Sequence, residues 1–242
     1  MNFFNRLNGF RSEIGLLISK YFFTSQARLK QILIDYYYSY KYRLNTREFD
    51  TTIGKIDIQE NFEKPDSFRT DFSKIVRLDS VPKCVKQIVE THKEKIIKYL
   101  GNNFLYDENI NVYTTYNVPE YMSKFDLYAN LWHLDNHDGI KLLRIFILLD
   151  DVNESDGPLH YMDRNTTKKY WNFIKDRWTH KNYNGTRNYE NQKKFLGSAG
   201  TYMLVNTAEC AHRASIPLKE RTMLSATFYP SWRKKENRKI YN

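Results

Sequence analysis

One segment constrains this chain more than any other: Phe125–Asp135, FDLYANLWHLD, which reads as a strand ending in a His-x-Asp pair. At the mouth of a strand, an imidazole and a carboxylate two residues apart can both turn toward one point. Such a pair is the start of a metal site, and the rest of the chain can be searched for its completion.

The neighbouring segments supply further strands. Ile110–Val118 alternates in the same way, Lys141–Val152 holds the aliphatic run LLRIFILL, and Pro158–Met162 is short. Thr201–Asn206 and Arg221–Tyr229 are strand-like by their β-branched and aromatic content. Thr166–Trp178 reads as helical or irregular, and His180–Lys194 as a polar loop rich in Asn and Tyr.

The N-terminal part has a different period. Phe3, Leu7, Phe10, Ile14, Leu17 and Tyr21 recur at spacings of three and four, an amphipathic helix over 3–23, and a second helix is expected over Gln26–Arg43. These helices either pack on the main domain or, alternatively, the first rests on a membrane surface. Thr46–Ser80 is mixed and polar, with a strand-like piece at Thr51–Ile58 and a loop around Pro65. Ser80 then begins a long scaffold helix, about 82–100, with Pro82 in its first turn and Gly101 just past its end. Val85, Ile88, Val89, Ile96, Ile97 and Leu100 form its apolar face. Short strands after a helical start predict an α+β chain, an antiparallel barrel or jelly roll buttressed by N-terminal helices. The division expected is 1–45 for the helices and 46–242 for the barrel with its scaffold helix.

Charge and cysteines narrow the setting. A formal net charge of +10 suits acidic partners such as nucleic acid, anionic lipid or a carboxylated substrate, or else reflects only a lysine-rich surface. Cys84 and Cys210 lie far apart with no CxxC spacing, which fits a reducing compartment and excludes a zinc ribbon or disulfide scaffold. No run reaches the ~18 apolar residues of a membrane span. Arg6 and Arg11 interrupt the N-terminal apolar stretch, against a signal peptide. The expected location is cytoplasmic, at most peripheral to a membrane.

The third metal ligand should be a histidine from a strand across the barrel. His137, His160, His180 and His212 follow residue 130. His212 is best placed, after the strand TYMLVN and before another, and Arg221 stands nine residues beyond it at the start of the last strand. An arginine there can grip a carboxylate in bidentate fashion. His180 has only Tyr189 at that offset. Two imidazoles and one carboxylate, His133, Asp135 and His212, suit non-haem Fe(II). His137 and His160 read as solvent-facing or substrate-pocket groups, and Cys210 as a small buried apolar residue.

These features together resemble the Fe(II)/2-oxoglutarate-dependent dioxygenases, specifically the phytanoyl-CoA dioxygenase-like group. The matching residues are Trp132-His133-Leu134-Asp135, the strand ending LLDDV, the turn NESDGPL, and the AHRA…R segment from Ala211 to Arg221. The likeness covers about residues 110–230. Tyr161-Met162-Asp163-Arg164 departs from a Pro-Gly-Ser-His segment common in that group, and Met223 stands where many such enzymes carry Ser or Thr. The resemblance implies a double-stranded β-helix, a kind of jelly roll, in which His133, Asp135 and His212 hold Fe(II). It further implies that Arg221 pairs with 2-oxoglutarate, helped by Thr201, Ser225 or Thr227, and that O₂ is the oxidant. The implied reaction hydroxylates a C–H bond of a small-molecule, sugar or lipid substrate, with succinate and CO₂ as co-products. Asp135 favours hydroxylation over halogenation. Asn130 and Trp132 would orient the ligands, and Arg144 is expected on the outward face of its strand, with a charge aimed at an anionic substrate as the alternative. The loop 178–195 is either a lid or a plain insertion. Two other readings stand beside this one: a metal-binding jelly roll without turnover, and an oxygenase acting on nucleic acid.

Overall fold

The computed structural model describes residues 29–44, 49–63, 73–117, 130–136, 139–170 and 188–241. The expected helix over 3–23, most of the loop 178–195, and His137 and His180 lie outside these residues.

Strand β10 (Arg221–Tyr229) is the longest and carries the architecture. On one side it pairs with β5 (Leu143–Leu148), which pairs in turn with β8 (Thr201–Val205), and β8 pairs with β1 (Thr52–Lys55). On its other side it pairs with β4 (Ile110–Thr115) and then β3 (Leu105–Asp107), which continue outward to β2 (Ser73–Leu78) and β11 (Arg238–Ile240). Every pairing is antiparallel. A second sheet of three strands runs β7-β6-β9, from Lys193–Phe195, Leu159–Tyr161 and His212–Arg213. The result is a mostly antiparallel, jelly-roll-like pair of sheets with helices on one side.

Alternation along each strand sorts the side chains into two cores. Ile145, Ile147, Leu204, Leu224, Ala226 and Phe228 face the helices and pack with Val85, Ile88, Val89, Ile96 and Leu100. Phe146, Leu148, Met203, Val205 and Met223 face the other way and meet Leu159, Tyr161 and Phe195 of the smaller sheet. The site lies within this second layer.

The scaffold helix differs from the single element expected. It is two helices, α2 (Lys83–Thr91) and α3 (Lys93–Leu100), broken at His92, whose φ of −111° and ψ of 15° leave the helical region. His92 Nε2 lies 2.8 Å from the Tyr202 hydroxyl, so the break is tied to the sheet. Ser80 is not the cap. The free N–H groups of Lys83 and Cys84 instead donate to the two carboxylate oxygens of Glu60, at 2.8 and 2.9 Å. That cap is tertiary and satisfies the orphan donors of a helix start from a distant carboxylate.

Part of the second expected helix is present as α1, residues 29–41. Asp35 fastens it to the barrel. Its buried carboxylate accepts hydrogen bonds from the Ile140 and Lys141 amides, Trp232 Nε1 and Arg233 Nε, with Arg233 Nη2 at 2.6 Å. Gly139, at φ 110°, lets the backbone pass here, since a side chain would strike Arg233 and Asp35. The opposite face of α1 leaves Leu29, Leu33, Tyr37 and Tyr40 exposed. Among the described residues no helix is long and apolar enough to cross a membrane.

Four strands were illegible to pattern reading: β2, within the stretch read as mixed and polar, and β3, β7 and β11, each of three residues. The described end of the expected strand at 125–132 is also not a strand ladder. His133 makes a single bridge to His212, its amide donating to the His212 carbonyl at 3.0 Å and the reverse bond at 3.1 Å. Those two bonds attach residues 132–134 to the edge of β9.

Candidate metal centre

The reciprocal bridge sets the geometry of the site. Pairing His133 directly across from His212 puts their rings 4.2 Å apart, and the Asp135 amide is held by the Thr207 carbonyl at 2.9 Å. The ligand atoms of His133, Asp135 and His212 then all lie within 4.8 Å of one another. His133 Nε2 is 4.0 Å from Asp135 Oδ1, and His212 Nε2 is 3.5 Å from Asp135 Oδ2. Residues separated by most of the chain's second half thus converge.

The surroundings prepare these groups for a cation. His133 Nδ1 lies 2.8 Å from the Leu131 carbonyl and His212 Nδ1 lies 3.1 Å from the Cys210 carbonyl. A carbonyl only accepts, so both protons sit on Nδ1 and both Nε2 lone pairs are left to bind a metal. Asp135 Oδ2 is buried and receives no aligned hydrogen bond, although Arg144 Nη1 is 2.9 Å away. Burial works against the charged form of Asp135. The positive charge of Arg144, with His212 and His133, nevertheless holds its carboxyl well below the usual carboxylate range. An ionised carboxylate with a spare buried lone pair beside two inward imidazole nitrogens fits a divalent transition metal.

Arg144 corrects an expectation. It does not face outward: it shares the inner face of β5 with Phe146 and Leu148 and contacts Asp135. Its Nε donates to Thr227 Oγ1 at 3.1 Å. A charge inside an aliphatic run is tolerated because it is paired, a partner invisible from the strand alone.

The triad opens on a cavity of about 390 Å³ lined by the inner faces of β10, β5 and β4. Every odd-numbered residue of β10 contributes to it: Arg221, Met223, Ser225, Thr227 and Tyr229. Arg221 is almost completely buried, at 1% exposure. Its Nη1 donates to the Gly157 carbonyl and its Nη2 to Thr115 Oγ1 at 3.4 Å, while its Nε has no partner. Among the described residues no carboxylate pairs with it. Burial pulls its pKa down, as expected for a guanidinium without a counter-ion. Gly157 has φ 63°, and a side chain there would collide with Ile216 and Pro217. The Asp-Gly-Pro-Leu turn is therefore the device that aims a carbonyl at Arg221.

Of the three hydroxyls named in the expected co-substrate set, Ser225 and Thr227 line the cavity and Thr201 does not. Thr201 packs on Gly197 at the outer end of β8, paired with Lys55. It shares the face of β8 that carries Met203 and Val205, but β8 lies beyond β5 and contributes no residue to the cavity. Thr115 was missed: it reaches Arg221 only because β4 lies beside β10 in register, a pairing the sequence does not announce. His160 does not line the cavity. It is buried between Arg213, 3.0 Å from its Nδ1, and Trp132. Burial, with Arg213 next, pulls its pKa down to about 4. Trp132 is fully buried and packs on Tyr189, whereas Asn130 reaches the cavity. Cys210 is buried, its thiol pushed up to about 12 by burial.

No protein-family model matches the chain, and no curated protein matches it. Among solved structures it is similar to a nickel complex of the non-heme monooxygenase ThoJ (16% identity, 62% of this chain, 55% of that one, TM-score 0.37). It is similar to the non-heme alpha-ketoglutarate-dependent epimerase SnoN from nogalamycin biosynthesis (11% identity, 70% and 68% covered, TM-score 0.39). It is also similar to HygX from Streptomyces hygroscopicus with nickel and 2-oxoglutarate bound (8% identity, 66% and 71% covered, TM-score 0.42). At this distance a likeness does not transfer an activity.

Proposed function

We propose that the protein is a non-haem Fe(II)- and 2-oxoglutarate-dependent oxygenase built on a double-stranded β-helix. The observation that carries this reading is Arg221, a buried guanidinium without a carboxylate partner among the described residues, in the same cavity as His133 and His212 of the metal-ligand triad. An uncompensated buried charge costs several kcal/mol. A chain keeps one where a ligand supplies the missing anion, and a metal-binding module without turnover has no need of it.

Strand order supports the fold assignment. The larger sheet contains β4-β10-β5-β8, and the smaller contains residues 132–134 followed by β9-β6-β7. Consecutive strands from β4 onward, with residues 132–134 counted among them, thus alternate between sheets, apart from β6 to β7, which stay in the smaller one. The turn Asp156-Gly157-Pro158-Leu159, with its carbonyl on Arg221, supports a place in the phytanoyl-CoA dioxygenase-like group.

Bound iron, with 2-oxoglutarate and O₂, would supply the oxidising power to break a substrate C–H bond, with succinate and CO₂ as co-products. The chain's own part is positional. His133 and His212 present fixed Nε2 atoms because their Nδ1 protons are committed to backbone carbonyls. Asp135 stays ionised beside Arg144. Arg221, braced by Gly157 and Thr115, binds the distal carboxylate of the co-substrate and so sets its reach toward the triad. Phe146, Leu159 and Met223 wall that end of the cavity with apolar surface and exclude water. A carboxylate at position 135 favours hydroxylation as the outcome.

Anaerobic titration of the apo-protein with Fe(II) and then 2-oxoglutarate tests this directly. A weak visible charge-transfer band is expected in the wild type. His212→Ala should lose it, and Arg221→Ala should need ~100-fold more 2-oxoglutarate, about 2.8 kcal/mol at about 1.4 kcal/mol per tenfold. Iron that binds yet ignores 2-oxoglutarate would sink the oxygenase reading in favour of an inert metal jelly roll.

A further inference from the structure

The cavity has two ends, and they differ in chemistry. Cross-strand register divides it into layers: Thr115 pairs with Arg221, Tyr113 with Met223 and Leu148, Asn111 with Ser225 and Phe146, and Thr227 with Arg144. At ~3.3 Å per residue, Thr227 lies roughly 20 Å along β10 from Arg221. The triad meets the middle of this row, since His212 stands against Phe146 and Asp135 against Arg144. A dicarboxylate held by Arg221 and reaching the triad occupies the first layers. The layers beyond Phe146 remain for a substrate.

That far chamber is polar on nearly every side. It is lined by Asp107, Asn109, Asn111, Asn130, Ser225 and Thr227. Four of the six are pre-ordered. Asp107 Oδ1 accepts from the Asn109 amide at 2.9 Å, from Asn109 Nδ2 at 2.7 Å and from Asn237 Nδ2 at 2.9 Å, and Asn111 Nδ2 donates to the Asn109 carbonyl at 3.1 Å. Thr227 is held by Arg144. Ser225 and Asn130 make no side-chain hydrogen bond among the described residues, so their donors and acceptors are unspent. Arg144 and the ring of Tyr229, the latter braced by Arg238 at 3.5 Å from its centre, also line it.

We infer that the substrate is a small polyhydroxylated molecule of the saccharide or cyclitol class, and not an acyl chain. Resting on the oxygenase reading above, this names the substrate of the same site. Amides, hydroxyls and a carboxylate held in place offer both donors and acceptors to a ring of hydroxyl groups. A methylene chain placed there would leave those groups unpaired, at ~1–3 kcal/mol for each one buried. Sites built to hydrogen-bond a hydroxyl discriminate strongly against ligands that lack it. The Tyr229 ring offers an apolar face for the C–H side of a sugar. At about 390 Å³ for both ends together, the cavity is near the small end of ligand pockets, ~300–1,000 Å³.

The test uses the full chain loaded with Zn(II) in place of iron, with 2-oxoglutarate present, and reads ligand binding by saturation-transfer NMR. The probes are methyl glycosides of common monosaccharides, amino sugars and inositols, beside fatty acids of eight to sixteen carbons and their coenzyme A thioesters. At least one polyhydroxylated probe should bind and no acyl probe should. Asn111→Leu and Asn109→Leu should each weaken that probe ~10-fold while leaving the affinity for 2-oxoglutarate unchanged. Binding of acyl probes, silence of every polyhydroxylated probe, or indifference to both substitutions would overturn the substrate class. Loss of the 2-oxoglutarate signal in the unaltered protein would instead overturn the oxygenase reading on which it stands.

Discussion

The two faces of β10 are made of adjacent residues and serve opposite ends. Leu224, Ala226 and Phe228 point at α2 and α3 and are fully buried among aliphatic and aromatic side chains. Arg221, Met223, Ser225, Thr227 and Tyr229 point into the cavity and, but for Met223, carry polar atoms. On one face, contact with neighbours satisfies every side chain. On the other, Arg221 Nε and the Ser225 hydroxyl have no hydrogen-bond partner among the described residues. The difference shows how a strand separates stability from chemistry within 3.3 Å of rise per residue. One face is complete in the protein alone, and the other is complete only with a ligand.

The largest expected effect falls on the apolar face. Leu224→Ala should cost ~2–5 kcal/mol of stability, measured by the shift in urea midpoint, with little change in 2-oxoglutarate affinity of the folded fraction. Equal damage to affinity and stability would break the comparison. Arg221→Met makes the converse case. Co-substrate affinity should fall ~100-fold while the melting temperature holds or rises, because a buried unpaired charge has been removed. A clear drop in melting temperature would show that Arg221 works for the fold.

A smaller pair exchanges residue types across the strand. Ala226→Ser should cost ~1–3 kcal/mol by burying a hydroxyl with no partner. Ser225→Ala, one residue away, should stay within about 0.5 kcal/mol. Thermal melts of the two variants read the contrast directly.

The last contrast concerns pH. His160 has a folded pKa near 4, below the ordinary ~6.5, so the folded state resists protonation that the unfolded chain accepts. Its contribution is fully present above pH ~6.5 and is lost as pH falls toward 4. The melting temperature of the wild type should decline across that window, and the decline should be shallower in His160→Phe. Identical pH profiles would remove His160 from the account.

Legibility in the sequence followed how local each signal was. Arg221–Tyr229 was readable to the residue, because a long strand packed on both faces must be rich in β-branched and aromatic side chains. The break at His92 was not, since the apolar spacing runs through it and the tie to Tyr202 is long-range. Ser80 has the right chemistry for a helix cap, but Glu60 reaches the free amides first. Arg144 was assigned to the wrong face because its strand shows no alternation. Only the position of Asp135 explains its inward turn.

What the sequence determined by itself is the identity of the reactive set. His133, Asp135, His212 and Arg221 stand out because few residue types bind a metal or a carboxylate, and their order and spacing match strand ends. The tertiary structure decided their state. It committed both Nδ1 protons to carbonyls, left Arg221 without a counter-charge among the described residues, set Thr115 beside it and kept Thr201 out of the cavity. The physical reason is that residue type is a property of the chain, whereas burial, register and electrostatic partner belong to neighbours that only folding brings into contact.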